Sequence, residues 1–192
     1  DFKFFDSLPI SFVYQYEDYP AITCCHGSPN NNRELMELYN ENSKQWLEKI
    51  DTDYMIAAHT HFPGELIWKG KQYFNSGCVG ISIDDVSNAQ CMILHGCEEE
   101  RKKVWKPEFL SLHYDMEAAI QGIIETGLIK RAPWFIKSNI HIMRTGIDKS
   151  AVMVARALEL AKQNDSGVEW PFIDEEYFAI AAAELGIPDY DV

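Results

Sequence analysis

Three histidines follow two short apolar runs, and their residue type and position point to metal chemistry. His26 comes after the run 21–25, and His59 and His61 come after the run 54–58. Short apolar runs bounded by Gly, Pro and Asp are typical of buried strands. Imidazole nitrogen is a common ligand for Zn, Mn, Fe and Ni, and a His-x-His pair brings two rings to one small site.

The segment between the two runs indicates how the imidazoles come together. Residues 31–50 carry apolar side chains along one helical face, which predicts a helix with its N-cap at Asn30 or Asn31. A strand, a helix and a strand form a parallel crossover, in which both strands end at the same sheet edge. A single histidine is more often a hydrogen-bonded surface or core residue. Three histidines at matched strand ends favour metal binding.

Three motifs, taken in order, resemble those of the calcineurin-like metallophosphoesterases, most closely the small bacterial phosphodiesterase-type branch. They are His26-Gly27-Ser28-Pro29, Ala58-His59-Thr60-His61 and Asn75-Ser76-Gly77-Cys78-Val79-Gly80. The family has a His-Gly loop, then Gly-His-Thr-His, then Asn-Pro-Gly-Ser-Val-Gly, and the match runs from about Ile10 to Leu94. The ordered set is specific, although each motif alone is weak. Ala58 stands in place of a Gly, and Ser76 and Cys78 replace a Pro and a Ser.

The resemblance implies an α/β fold that is part of a four-layer α/β/β/α metallophosphoesterase sandwich with a carboxyl-terminal helical appendage. Residues 1–113 would form the carboxyl-terminal part of the metallophosphoesterase domain, and residues 114–192 the helical cap or appendage. Helical patterns support the appendage, and apolar runs predict strands beyond the crossover. The helices are expected at 115–126, 149–163 and 174–185, and the strands at 10–16, 65–68, 72–75, 79–83, 89–95 and 104–113.

The resemblance also implies an enzyme that hydrolyses a phosphate monoester or diester at a dinuclear metal centre. His26 and His59 would bind one divalent ion and His61 the other, the ions being Mn, Fe, Zn or Ni. In such a centre the two ions lower the pKa of a bridging water, and metal-bound hydroxide attacks the phosphorus in line.

Substrate contacts and missing ligands follow from the same resemblance. Gly27, Asn75 and Gly77 would bind the phosphate ester, the two glycines by letting the backbone approach closely. The family's Asp-x-His, Gly-Asp and Gly-Asn-His motifs are absent from the sequence. We therefore expect a preceding amino-terminal segment to supply the remaining ligands and the histidine that assists the leaving group. The alternative is a complete protein that has lost half its site.

Two other functions are compatible with these residues. One is a metallophosphoesterase-like binding module without catalysis, in which a degenerate metal site serves as a docking surface. The other is a hydrolase with a single zinc ion held by three histidines. Metal content separates them, because a dinuclear enzyme holds about two equivalents.

Composition excludes some classes of partner. The net charge of −13 argues against nucleic-acid and anionic-membrane binding, both of which need basic patches. No apolar run is long enough to cross a bilayer. Five cysteines without a Cys-x-x-Cys pair indicate a reducing, cytoplasmic compartment. His95, His113 and His141 have no partner spacing, and we interpret them as surface or hydrogen-bonded residues.

Overall fold

Two compact units make up the chain. The first runs to Val79 and includes Ala89–Leu112, and the second comprises Gly80–Asn88 and the residues from His113 onward. The computed structural model describes residues 2–190. Asp1, Asp191 and Val192, which end the predicted domains, lie outside the described residues.

The first unit is built around a five-stranded sheet with the strand order β1-β2-β3-β5-β4. Strands β2, β3 and β5 are parallel, and the edge strands β1 and β4 pair antiparallel to their neighbours. Strands β6 and β7 form a separate two-stranded ribbon. The elements of this unit are α1 (Phe2–Ser7), β1 (Ser11–Tyr14), β2 (Ile22–Cys25), α2 (Glu41–Lys49), β3 (Tyr54–Ala57), β4 (Gly64–Trp68), β5 (Lys71–Asn75), β6 (Asn88–Glu99) and β7 (Lys102–His113).

Both faces of this sheet are covered, because apolar side chains alternate along its strands. On one face, Met55 and Tyr73 pack against Leu47 of α2. On the other face, the ring of Phe74 packs in a cluster with Trp105 of β7. A helix, a sheet and a ribbon thus form successive layers, and the predicted mixed α/β fold class is confirmed.

The predicted crossover is present, but its helix is shorter than expected. Strand β2 pairs in parallel with β3. Helix α2 begins only at Glu41, so the prediction of a helix from residue 31 is wrong for its first half. Polar side chains explain the difference, because they bond to nearby backbone and compete with helix formation. The Asn31 N–H donates to the Ser28 hydroxyl at 3.1 Å, and the Asn31 amide oxygen accepts from the Arg33 N–H at 2.9 Å.

The strand expected at 79–83 is also wrong, since these residues form an irregular loop. The Ser82 hydroxyl donates to the Asn88 carbonyl at 2.9 Å, and the Asn88 N–H donates to the Asp85 carbonyl at 3.2 Å. Bonds within the segment therefore replace a ladder to a neighbouring strand.

The second unit is helical. Its helices are α3 (Met116–Glu125), α4 (Pro133–Thr145), α5 (Ser150–Asn164) and α6 (Glu175–Glu184). The three expected helices are present, and α4 is an additional one. Buried Ala157, Ala161 and Ala181 let α5 and α6 pack closely, and an Arg156–Glu184 ion pair links the two helices at 2.6 Å. Across residues 2–190, every helix is too short or too polar to cross a membrane.

One buried histidine in this unit couples stability to pH. The Nε2 atom of His141 on α4 has no hydrogen-bond partner within residues 2–190, and its Nδ1 atom lies 3.3 Å from the Tyr190 hydroxyl. Burial lowers the pKa of this imidazole, and the nearby charge of Lys149 lowers it further. The unfolded chain then binds a proton more readily than the folded chain. We expect the free energy of unfolding to fall as the pH drops below about 6.5.

Urea unfolding at about pH 7.5 and about pH 5.5, on either side of the ordinary histidine pKa, measures this loss. His141→Gln keeps a polar side chain but cannot titrate, so its stability should fall less between the two pH values. His113→Gln removes an exposed histidine and should retain the wild-type loss. An equal loss in His141→Gln and the wild type would contradict the prediction.

Candidate functional site

The ends of β2 and β3 bring two of the predicted histidines together. His26 follows β2, and His59 follows β3 by two residues. The Ala58 N–H donates to the His26 carbonyl at 2.8 Å and connects the two strand ends. The ring centroids of His26 and His59 are 5.0 Å apart, with their planes inclined at 58°.

The third histidine, His61, interacts electrostatically with His26. The pKa of His26 lies below its ordinary value, first because its hydration is reduced and then because His59 and His61 repel its charged form. The His26 ring nevertheless remains open to solvent. These effects favour the neutral imidazole, which is the form that binds metal ions.

The backbone that presents His59 and His61 is strained. Their φ angles are 65° and 61°, in the left-handed region. A residue with a Cβ adopts this region at a cost of roughly 1 kcal/mol or more. Such conformations persist only where neighbouring groups hold them, and they collect at functional sites.

Asn75 at the end of β5 supplies that support. Its side chain is fully buried. The Nδ2 atom donates to the Ala58 carbonyl at 2.8 Å and to the Thr60 hydroxyl at 2.9 Å, and Oδ1 accepts from the Gly77 N–H at 3.0 Å. One amide thus joins the loop that carries His59 to the turn after β5. Sequence reasoning missed this positioning role and the buried Thr60, although both belong to the quoted motifs.

Gly27 and Gly77 lie at positions where a side chain would not fit. A Cβ on Gly27 would lie 2.6 Å from the Asn31 carbonyl oxygen and 2.7 Å from that of Glu34. Gly77 has a φ of 77°, and a Cβ there would lie 2.6 Å from the Gln90 side chain. Both positions therefore need glycine for local structure.

Cys25 and His95 are two other side chains of this unit whose types can bind metal ions, but their environments differ from those of the three histidines. Burial raises the pKa of Cys25 to about 12, and the neighbouring Cys24 adds to the rise, so this thiol is protonated at neutral pH. A protonated thiol is neither a nucleophile nor a metal ligand. His95 is on β6, where its Nε2 atom lies 2.6 Å from a Glu108 carboxylate oxygen.

A groove of about 330 Å³ borders His26 on the side of α1 and β1. Its apolar walls include the side chains of Phe5, Leu8, Ile10 and Phe12, all of which are exposed. Helix α1 buries none of its residues. Contiguous exposed apolar surface of this kind marks an interaction site.

The donor atoms at this sheet edge are of a type that binds transition metals. His26 and His59 offer imidazole nitrogens at one sheet edge, a ligand type that suits Zn, Fe and Ni. Within residues 2–190, no group of three or more His, Cys, Asp or Glu side chains is placed to hold an ion. A closed metal site uses about four ligands. The imidazoles of this chain therefore fit as some of the ligands of such a site, and the others must come from elsewhere.

Comparison with solved structures shows the fold. The chain has a TM-score of 0.55 with a metallophosphoesterase from Sphaerobacter thermophilus, at 21% identity over 76% of this chain and 60% of that one. It has a TM-score of 0.53 with hypothetical protein PH1004 from Pyrococcus horikoshii OT3, at 17% identity over 76% of this chain and 54% of that one. The likeness to the metallophosphoesterase supports a calcineurin-like metallophosphoesterase fold. The chain spans less than two thirds of the length of either structure.

Other comparisons give weaker likeness or none. Wild-type Vps29 complexed with Zn²⁺ from Entamoeba histolytica has a TM-score of 0.38, at 18% identity over 55% of this chain and 62% of that one. No protein-family model matches the chain, and no curated protein matches it.

The Asn75 amide is expected to be essential for stability. Asn75→Ala removes the hydrogen bonds of this amide and leaves the Ala58 carbonyl and the Gly77 N–H without this partner. We expect the free energy of unfolding to fall by about 2–4 kcal/mol, since each buried polar group left unsatisfied costs about 1–3 kcal/mol. Urea unfolding measures the loss.

The matched control is Asn30→Ala, which removes an exposed amide. Its effect should stay within about 0.5 kcal/mol, as for most surface substitutions. Equal stability of the Asn75 and Asn30 variants would show that the buried amide does not hold the loop.

Proposed function

We propose that this chain carries part of the active site of a metal-dependent phosphoesterase, with His26, His59 and His61 as metal ligands. The observation that carries the proposal is the 5.0 Å approach of the first two rings at the ends of neighbouring parallel strands. Strained backbone at His59 and His61, together with a fold like that of metallophosphoesterases, supports it.

The proposed reaction is hydrolysis of a phosphate monoester or diester. Divalent cations held here would act as Lewis acids on the phosphoryl oxygens of the substrate. In the proposal His26 and His59 hold one ion and His61 a second, each being Mn, Fe, Zn or Ni. The residues of this chain otherwise orient the site, because Asn75 fixes the loop that presents two of the ligands.

Backbone around the two glycines is proposed to approach the substrate. Gly27 follows the ligand His26 directly, and Gly77 lies in the turn that the Asn75 side chain holds. A side chain at either position would displace the loop or the turn. Their role in the proposal is to keep the backbone close to the phosphate.

Further donors are proposed to come from another polypeptide segment. Carboxylates suit a phosphoesterase centre, because they would complete the donor set and balance the charge of two cations. The exposed apolar residues of α1 and β1 beside His26 offer a surface against which such a segment can pack. The same segment would carry the group that protonates the leaving alcohol.

Loss of His59 should remove both metal binding and activity. We expect the full-length protein to hydrolyse bis(p-nitrophenyl) phosphate when supplied with Mn²⁺, and His59→Ala to lower the turnover about a hundredfold or more, since a ligand is lost. His113→Ala, which removes an exposed histidine, should keep both activity and bound metal. Release of p-nitrophenolate and elemental analysis of metal content give the two readouts.

Two results would contradict the proposed enzymatic activity. One is undiminished turnover in His59→Ala, and the other is turnover that survives exhaustive chelation. Circular dichroism of the variant shows whether a loss of activity arises from unfolding.

The exposed apolar groove beside His26 also favours a second candidate function. In this alternative the site is a docking surface for a protein partner and does not catalyse hydrolysis. About two equivalents of bound metal in the full-length protein favour the enzyme, whereas a metal-free protein that still binds its partner favours the docking module. A single tightly held Zn²⁺ would instead favour a mononuclear site.

A further inference from the structure

A cavity of about 180 Å³ lies in the helical unit, between the starts of α4, α5 and α6. It is smaller than the roughly 300 Å³ at which drug-sized pockets begin, so any ligand must be small. Most of its wall is apolar and aromatic. The side chains that matter here are Trp134, Phe135, Trp170, Phe178 and Glu175.

Two of the aromatic walls are open to solvent. Phe135 is 63% exposed and Trp170 is 58% exposed, whereas Phe178 is buried at the back of the cavity. Large aromatic side chains that remain exposed around a concavity offer their π-faces to a ligand. Two exposed aromatic rings thus belong to the cavity wall.

Glu175 brings a negative charge to this apolar wall. Its carboxylate makes no hydrogen bond or ion pair within residues 2–190. Partial burial of the carboxyl group raises its pKa, although the Glu175 side chain is exposed overall. As the first residue of α6 it is stabilised in its charged form by the helix dipole. A carboxylate in the cavity wall without a counter-ion is complementary to a cation.

The segment that supplies Trp170 and Glu175 has the same sign of charge. Residues 163–180 contain five acidic residues and no basic one. None of the residues lining the cavity within the described chain is basic. The nearby Lys137 lies over the Trp134 ring at 4.8 Å, and its charge is balanced by an ion pair with Asp189. The Trp134 ring therefore already carries a cation, from a side chain that does not line the cavity.

We propose that the cavity binds a small organic cation with a methylated ammonium head. Trp170 and Phe135 would face the cation, and Glu175 would balance its charge. Cation–π attraction is strongest with tryptophan, and an aromatic enclosure with a carboxylate is suited to quaternary ammonium groups. This binding activity belongs to the helical unit and goes beyond the proposed phosphoesterase.

Choline and its uncharged isostere 3,3-dimethylbutan-1-ol test the role of charge, because they have nearly the same shape. We expect choline to bind the full chain saturably with one equivalent, measured by calorimetry and by tryptophan fluorescence. The isostere should bind at least about tenfold more weakly, because cation–π attraction and charge pairing are lost. Equal affinity for the two compounds, or no saturable choline binding, would overturn the proposal.

Two variants test the assigned residues. Glu175→Gln should weaken choline binding about fivefold, whereas Glu176→Gln, which alters an adjacent carboxylate outside the cavity wall, should leave it unchanged. Trp170→Ala should weaken it about tenfold or more, and Trp170→Phe should recover part of the affinity. Wild-type affinity in Glu175→Gln or Trp170→Ala would overturn the assignment. Both side chains are exposed, so circular dichroism spectra should match the wild type.

Discussion

The parallel pairing of β2 with β3 is the constraint on which the candidate site depends. Ile22 lies opposite Tyr54, and Cys24 lies opposite Ile56, so both strands deliver their carboxyl ends to one edge. A shift of one residue would turn the side chains that follow to the other face of the sheet. The buried clusters on the two faces oppose such a shift, because it would exchange core residues with their neighbours. Register therefore sets the distance between His26 and His59.

Sequence reasoning predicted the part of this arrangement that depends on strand direction. Apolar runs before His26 and His59 and a polar segment between them were enough to predict a parallel crossover and the approach of the two rings. The loop before α2 was not predicted, because local bonds of Ser28 and Asn31 outweigh the helical pattern. Helix α4 was not predicted, although Ile136, Ile140 and Met143 recur in it at helical spacing. The buried bonds of Asn75 depend on tertiary contacts, which sequence spacing does not reveal.

The sheet unit and the helical unit carry groups that suit different ligands. The sheet unit gathers imidazoles beside strained backbone, an arrangement suited to metal ions. The helical unit has an aromatic cavity with a single carboxylate in its wall, an arrangement suited to an organic cation. The fold alone is compatible with an enzyme or with a binding module, since function depends on the groups at the site.

X-ray absorption at the zinc edge of the Zn²⁺-loaded protein shows whether His26 and His59 bind the same ion. We expect at least two imidazole nitrogens at about 2.0–2.1 Å from zinc, with one fewer after His59→Ala. A zinc shell without imidazole scattering, or an unchanged imidazole count in His59→Ala, would contradict it.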